Sequence, residues 1–260
     1  MSNQAIGNSE IGISSMFNYI QEGFRLALTP ECRLYVIIPI LINIVVLSAG
    51  GYLLFTVIYS FLESYVNALP EFLSALAYLI QLILFLSIGF VFVYIFSMVA
   101  IIIASPFYGL LAEKAESLIR GENALNGDEG FAAIIKDVPR ILKRELQKLG
   151  FYLPRLLVCV VISFIPLVNL LAPFAWFLLA AWMISIQYVD YSYDNHKIPF
   201  KQMRQELSHQ RLATFTFGAL ISLGMSIPVL NLLLPPAAVC AGARYYVEMQ
   251  KRFSIDSVMR

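Results

Sequence analysis

Charged residues are scarce in this chain. Asp, Glu, Lys and Arg make up 13% of its 260 residues, against about 25% in an average soluble domain. Two long runs, Leu34 to Leu62 and Phe72 to Ala112, contain no Asp, Glu, Lys, Arg or His. That excludes from both runs the intramembrane carboxylate or histidine relay on which proton pumps depend. The net charge is only +1, so nothing in the total favours nucleic acid or an acidic partner. Cysteine is also rare. Cys32, Cys159 and Cys240 lie far apart, which excludes metal-ligand spacing and a disulfide framework. No Gly-x-x-x-x-Gly-Lys-Ser/Thr loop is present, so the chain offers no motif for ATP hydrolysis. No basic stretch precedes the first apolar residues, and a cleaved signal peptide is not expected. Neither a cofactor nor a metal is predicted, and no enzymatic activity.

What the chain has in abundance is apolar surface. Hydrophobic residues are 59% of the total and the mean hydropathy is +0.75, the composition of an integral membrane protein. Residues 1–29 carry Ile13, Met16, Phe17, Ile20, Phe24 and Ala27 at helical spacing and read as an interfacial amphipathic helix. Thr29-Pro30 then signals a new helix, with an N-cap and a proline at the first helical position. Residues 30–62 form the first spanning helix. Residues 72–120 form a second, too long for one straight crossing, with Pro106 near the membrane surface and a cytoplasmic extension ended by Gly121. Residues 122–130 are a polar loop, and 131–151 a charged amphipathic helix restarted by Asp137-Val138-Pro139.

Two later stretches repeat one pattern. Ile165-Pro166-Leu167-Val168-Asn169-Leu170-Leu171-Ala172-Pro173 and Ile227-Pro228-Val229-Leu230-Asn231-Leu232-Leu233-Leu234-Pro235 share Ile-Pro-x-x-Asn-Leu-Leu-x-Pro. A helix arriving at either isoleucine must stop at the proline, which lacks an N–H and clashes with the preceding turn. Asn169 and Asn231 are then expected to cap the next helices. The arms are short: Arg155 to Ile165 gives about 16 Å of helix against a hydrocarbon core of about 30 Å. The reading is two re-entrant hairpins, 152–189 and 211–248, joined by a cytoplasmic connector, 190–210, and followed by a tail, 249–260. Their helix N-termini would favour an anion at mid-membrane. The alternative is a pair of ordinary kinked helices serving as scaffold.

The 18 Lys and Arg are distributed unevenly. Two precede the first span, eight lie between Lys114 and Arg155, four between Lys197 and Arg211, and four from Arg244 onwards. By the positive-inside rule both termini, the central charged stretch and the connector are cytoplasmic. The acidic loop Glu63 to Glu71 faces out.

Several residues are candidates for handling an anion. Gly23, Phe24 and Arg25 precede the Thr29-Pro30 helix start: glycine admits close backbone approach, and arginine supplies a forked donor, against the alternative that Arg25 simply snorkels to lipid phosphates. Arg33 follows one turn on, and Pro39 with Asn43 is a looser copy of the repeat. Glu113, Arg140 and Arg144, with Glu145, mark a possible entrance, against the alternative of a solvated charged face. Pro166, Asn169, Pro228 and Asn231 mark the pathway through the hairpins. The Asp190 to Lys197 stretch reads as a hydrogen-bonded turn. Its Asp-x-x-x-Asp pair lacks the second acidic cluster that a Mg²⁺-diphosphate site requires.

Longer blocks carry a resemblance. These are Gly23-Phe24-Arg25-Leu26, Ala104-Ser105-Pro106-Phe107-Tyr108-Gly109-Leu110-Leu111-Ala112-Glu113, Lys136 to Glu145, Tyr152-Leu153-Pro154-Arg155 and Asp194 to Lys201, together with the repeats. Over nearly its whole length the chain resembles the CysZ family of bacterial inner-membrane sulfate permeases. The resemblance implies an all-α membrane protein with two long spanning helices, two partly penetrating hairpins and amphipathic cytoplasmic helices. It also implies a homo-oligomer in the lipid bilayer that imports sulfate, with sulfite as a possible relative, for cysteine biosynthesis and without nucleotide hydrolysis. The family's Gly-Leu-Arg type sulfate motif maps onto Gly23, Phe24 and Arg25, with phenylalanine in place of leucine. The rival function is a membrane scaffold or regulatory protein that binds a cytoplasmic partner.

Overall fold

A computed structural model describes residues 11–66, 74–121 and 131–258. Among them every regular element is helical: α1 (Ile13–Ala27), α2 (Pro30–Val66), α3 (Ser74–Arg120), α4 (Phe131–Phe164), α5 (Ala172–Asn195), α6 (Phe200–His209), α7 (Arg211–Met225) and α8 (Pro228–Val258), with a short 3-10 turn between α4 and α5. The polar loop at 122–130 and most of the acidic loop lie outside the described residues. Two compact units are distinguished, Ile37–Phe107 on one hand and Met1–Val36 with Tyr108–Arg260 on the other.

In the 37–107 unit the two long helices touch through aromatic rings. Phe55 and Phe85 meet edge to face at 6.2 Å, and Gly50 faces Phe92. Most of their apolar surface is outward; none of Tyr78–Phe96 is buried. In water such a surface would be unsustainable, whereas in lipid it is the solvent-facing side. Four stretches are long and apolar enough to cross a membrane: Pro30–Phe61, Tyr78–Phe96, Pro139–Phe164 and Val168–Asn195.

The other unit is held together by close helix approach. α1 lies on α8, and α5 lies against α7 and α8. The contact side of α8 is small: Ala237, Ala238, Ala241 and Ala243 are fully buried. Gly23 on α1 faces that side, and a Cβ there would fall on the Ala237 carbonyl and on Ala241. Gly218 does the same on α7, against the Ala181 carbonyl of α5. Where lipid surrounds a protein, packing and interhelical hydrogen bonds take over from hydrophobic exclusion, so small residues favour association. Ser185 Oγ donates to the Thr214 carbonyl across the α5–α7 contact, and the Thr214 hydroxyl lies 2.8 Å from that of Tyr245.

The repeated sequence does not fold as a structural repeat. In the first copy α4 stops at Phe164, Leu167 takes a left-handed φ of 68°, and Val168–Leu171 forms a 3-10 turn. α5 then begins at Ala172 with Pro173 in its first turn. Asn169 therefore does not cap α5; its N–H bonds the Ile165 carbonyl at 2.9 Å. In the second copy α8 starts at Pro228, so Asn231 lies one turn inside the helix rather than ahead of it. Pro228 determines that start because its φ and missing N–H suit the first helical position. Two further boundaries differ from expectation. α4 runs unbroken through 151 and carries Pro139 and Pro154 inside it, and residues 190–195 belong to α5 rather than to a turn.

Candidate functional site

Charge in this molecule is concentrated where α4 passes the end of α5. Arg140, Arg144 and Lys148 follow each other at four-residue intervals along α4, hence on one face. Asp190 and Asp194 have the same spacing on α5, and the two rows meet. Arg140 Nη1 lies 2.6 Å from Asp194 Oδ1. Arg144 donates to Asp190 Oδ1 through Nη2 at 2.6 Å and Nε at 2.9 Å. Lys148 Nζ lies 3.1 Å from Asp190 Oδ2 and also reaches Glu145 at 2.7 Å and Gln187 at 3.1 Å. Asp190 and Lys148 are each only 2% exposed and Arg144 8%. Burying these charges costs several kcal/mol apiece, so the pairing is what makes the site tenable.

A second node ties α3 into the same region. Glu116, buried on α3, accepts from Arg120 at 2.8 Å and lies 2.9 Å from His196 Nε2. The His196 ring stacks on Tyr246 at 5.1 Å. Hydrogen bonding to the Glu116 carboxylate raises the His196 pKa above its usual 6.5. Asn195 Nδ2 donates to the Gly109 carbonyl at 2.7 Å, and Tyr193 donates to Glu206 at 2.8 Å. The end of α5 is thus bonded to α3, α4 and α6.

That end closes in a particular way. Ile198 N–H reaches the Tyr193 carbonyl and Lys197 N–H the Asp194 carbonyl, each at 2.9 Å. This is a Schellman cap, and its left-handed position, normally glycine, is Lys197 with φ 56°. A recess of about 390 Å³ adjoins the cap, with Arg140, Arg144 and Asp194 in its wall.

The structure brings Arg140 and Arg144 together, and gives both an aspartate that sequence spacing did not supply. Glu113 is exposed; the acid that takes part is Glu116, one turn on. Asp190, Lys148 and Glu116 are the residues that sequence reasoning missed. The available signal was charges four apart on two antiparallel helices. Gly23 is a correction as well. Its face is filled by α8, so it offers no backbone to a ligand. Phe24 is half-buried and Arg25 exposed, and Arg25 has no ion-pair partner among the described residues. Arg33 is exposed in the same condition. At the start of α2, Thr29 Oγ1 donates back to the Leu26 carbonyl at 2.7 Å. Pro39 lies inside α2, and Asn43 Oδ1 is a buried acceptor with no donor among the described residues. Pro166 and Asn169 are exposed at the tip of the first hairpin. No three His, Cys, Asp or Glu gather as a metal-binding group among the described residues.

Fold and site together define an all-helical membrane protein whose apolar helices end in a buried, charge-compensated polar layer. A family model described as sulfate transporter CysZ/etoposide-induced protein 2.4 matches residues 19–236, and the chain belongs to that family. It is similar to proteins named sulfate transporter CysZ from three bacteria. Identity to that of Salmonella typhi is 46% over 231 residues, 88% of this chain and 90% of the relative. To that of Pectobacterium atrosepticum it is 44% over 238 residues, 91% and 86%. To that of Vibrio cholerae it is 44% over 239 residues, 92% and 95%.

Proposed function

We propose that this chain is a sulfate permease of the bacterial inner membrane that imports the dianion for cysteine biosynthesis without hydrolysing nucleotide. The observation that carries the reading is kinship along nearly the whole chain with proteins named sulfate transporters, at 44% identity or more. Two features support it physically. Arg25 and Arg33 are exposed guanidinium groups with no carboxylate bound to them among the described residues, so each has its donors available to a tetrahedral oxyanion. The apolar part of α4 is also short once its charged half is set aside. From Arg155 to Phe164 α4 extends about 15 Å, half of a hydrocarbon core. In this reading both hairpins enter the bilayer partway from the cytoplasmic side, and both termini are cytoplasmic. Lipid-facing tips with irregular backbone require cover from protein, which a homo-oligomer supplies. Sulfite, with the same charge and nearly the same donors to satisfy, is the expected competitor.

Arg25 captures the anion in this reading, while Gly23 and Phe24 hold its helix in place. The experiment is radiolabelled sulfate uptake by sealed vesicles containing the purified protein, with and without a proton gradient. Flux above empty vesicles is expected, and Arg25→Ala should lower sulfate affinity with the fold intact. Uptake at the empty-vesicle level would sink the transport reading; unchanged affinity in the variant would remove Arg25 from it.

A further inference from the structure

The recess beside the α5 cap is far more basic than the polar layer it adjoins. Arg140 and Arg144 in its wall are bound to Asp194 and Asp190. Four other cations line it, namely Lys143, Lys197, Lys201 and Arg204. None of these has an ion-pair partner among the described residues. Asp194 is the single carboxylate in the wall, and Arg140 already occupies it. Unlike the ladder, the recess carries uncompensated positive charge.

Three observations show that this is a shaped site and not a scatter of surface lysines. Arg204 lies over the rings of Phe151, at 4.4 Å, and Phe200, at 5.1 Å. These rings fix its plane, and its Nε is a buried donor with no acceptor among the described residues. α6 begins at the recess with no acidic residue in its first turn and no side-chain cap. Its first N–H groups and its positive end are therefore available to an anion. Lys197, finally, holds a left-handed backbone conformation in which glycine would be unstrained. A strained residue that lines a cavity invites a functional reading.

We infer that the recess binds a ligand with at least two linked phosphate groups. A lone sulfate or phosphate is too small and too weakly charged for it. A volume of about 390 Å³ falls in the range of small-molecule pockets, roughly 300–1,000 Å³. Four free cations match the charge of a diphosphate or larger anion. The bidentate geometry of Arg204 and the N-terminus of α6 suit tetrahedral oxyanions. The ligand is either a soluble diphosphate or a lipid headgroup bearing the same groups. Binding here is separate from sulfate flux and does not depend on it.

The test is titration calorimetry of the full chain, in detergent and in nanodiscs of neutral lipid, with inorganic diphosphate as the probe and sulfate for comparison. Diphosphate should bind about tenfold or more tightly than sulfate and weaken as salt rises. Lys197→Gly gives the sharpest variant, because relief of the left-handed strain should keep or raise the unfolding temperature while diphosphate affinity falls several-fold. Lys201→Gln should add to that loss, and sulfate uptake should be unchanged in both variants. Nanodiscs containing a lipid with a phosphorylated headgroup separate the two sources. Competition between that lipid and diphosphate assigns the recess to lipid, and its absence to a soluble ligand. Failure of diphosphate to bind, or binding indifferent to Lys197→Gly and Lys201→Gln together, overturns the inference.

Discussion

Asp190 accepts from two cations at once, Arg144 at 2.6 Å and Lys148 at 3.1 Å, and that sharing sets the hierarchy among the charged residues. Asp190→Asn leaves two buried cations without their counter-ion and is expected to cost about 3–5 kcal/mol, seen as a large fall in unfolding temperature. Asp194 faces Arg140, whose side chain is 33% exposed; water can replace that partner, so Asp194→Asn should cost clearly less. Equal losses in the two variants would contradict the ladder. His196 gives a pH signature. Its pKa is raised, chiefly by the hydrogen bond it donates to the Glu116 carboxylate, with burial and Arg120 opposing and Glu113 adding. The pair's contribution is complete below pH 6.5 and is lost as pH rises through the higher folded value. The unfolding temperature should therefore decline above pH 6.5, and His196→Gln should remove that part of the slope. At this scale the sequence was half legible. Arg140 and Arg144 stand out by their spacing, but their partners are some fifty residues away, and nothing local distinguishes Asp190 from a turn residue. Asp190 and Asp194 repeat the four-residue interval of Arg140 and Arg144, which is the clue that pairs them.

Helices meet here through what their side chains leave out. Gly218 rests on the Ala181 carbonyl of α5, so Gly218→Ala should force the two helices apart and cost about 1–3 kcal/mol. Gly51, where an added Cβ meets nothing within 4 Å, is the control, and alanine there should leave the unfolding temperature almost unchanged. The all-helical class was readable from the apolar runs, and the start of α2 from Thr29-Pro30. The hairpin tips were not, because two local rules compete in Ile-Pro-x-x-Asn. Asparagine favours a cap and proline a first turn. Proline prevails at Pro228, whereas at Pro166 the chain takes a left-handed residue and a 3-10 turn before α5 begins. Identical local sequence leaves that choice to tertiary surroundings. The unbroken α4 has the same lesson: Pro139 and Pro154 remove hydrogen bonds that the rest of a 34-residue helix can spare.

For the molecule as a whole, composition already dictated a bilayer, and the exposed apolar faces of α2 and α3 agree with it. Depth of penetration is a different matter, since apolar content fixes where a helix can live and not how far it goes. Cysteine placed at Leu167, at the exposed tip between α4 and α5, should resist a membrane-impermeant thiol reagent added from the periplasmic side. Rapid labelling from that side would show that the first hairpin crosses completely. The seat of α1 on α8 has its own consequence. Because Gly23 is locked against Ala237 and Ala241, the first helix has a fixed seat on α8, and the backbone of Arg25, two residues on, is set by that seat. If Arg25 captures the anion as proposed, a bulkier residue at position 23 should lower uptake with the arginine still present. That change and Arg25→Ala would then be twins in a flux assay and strangers in a melting curve.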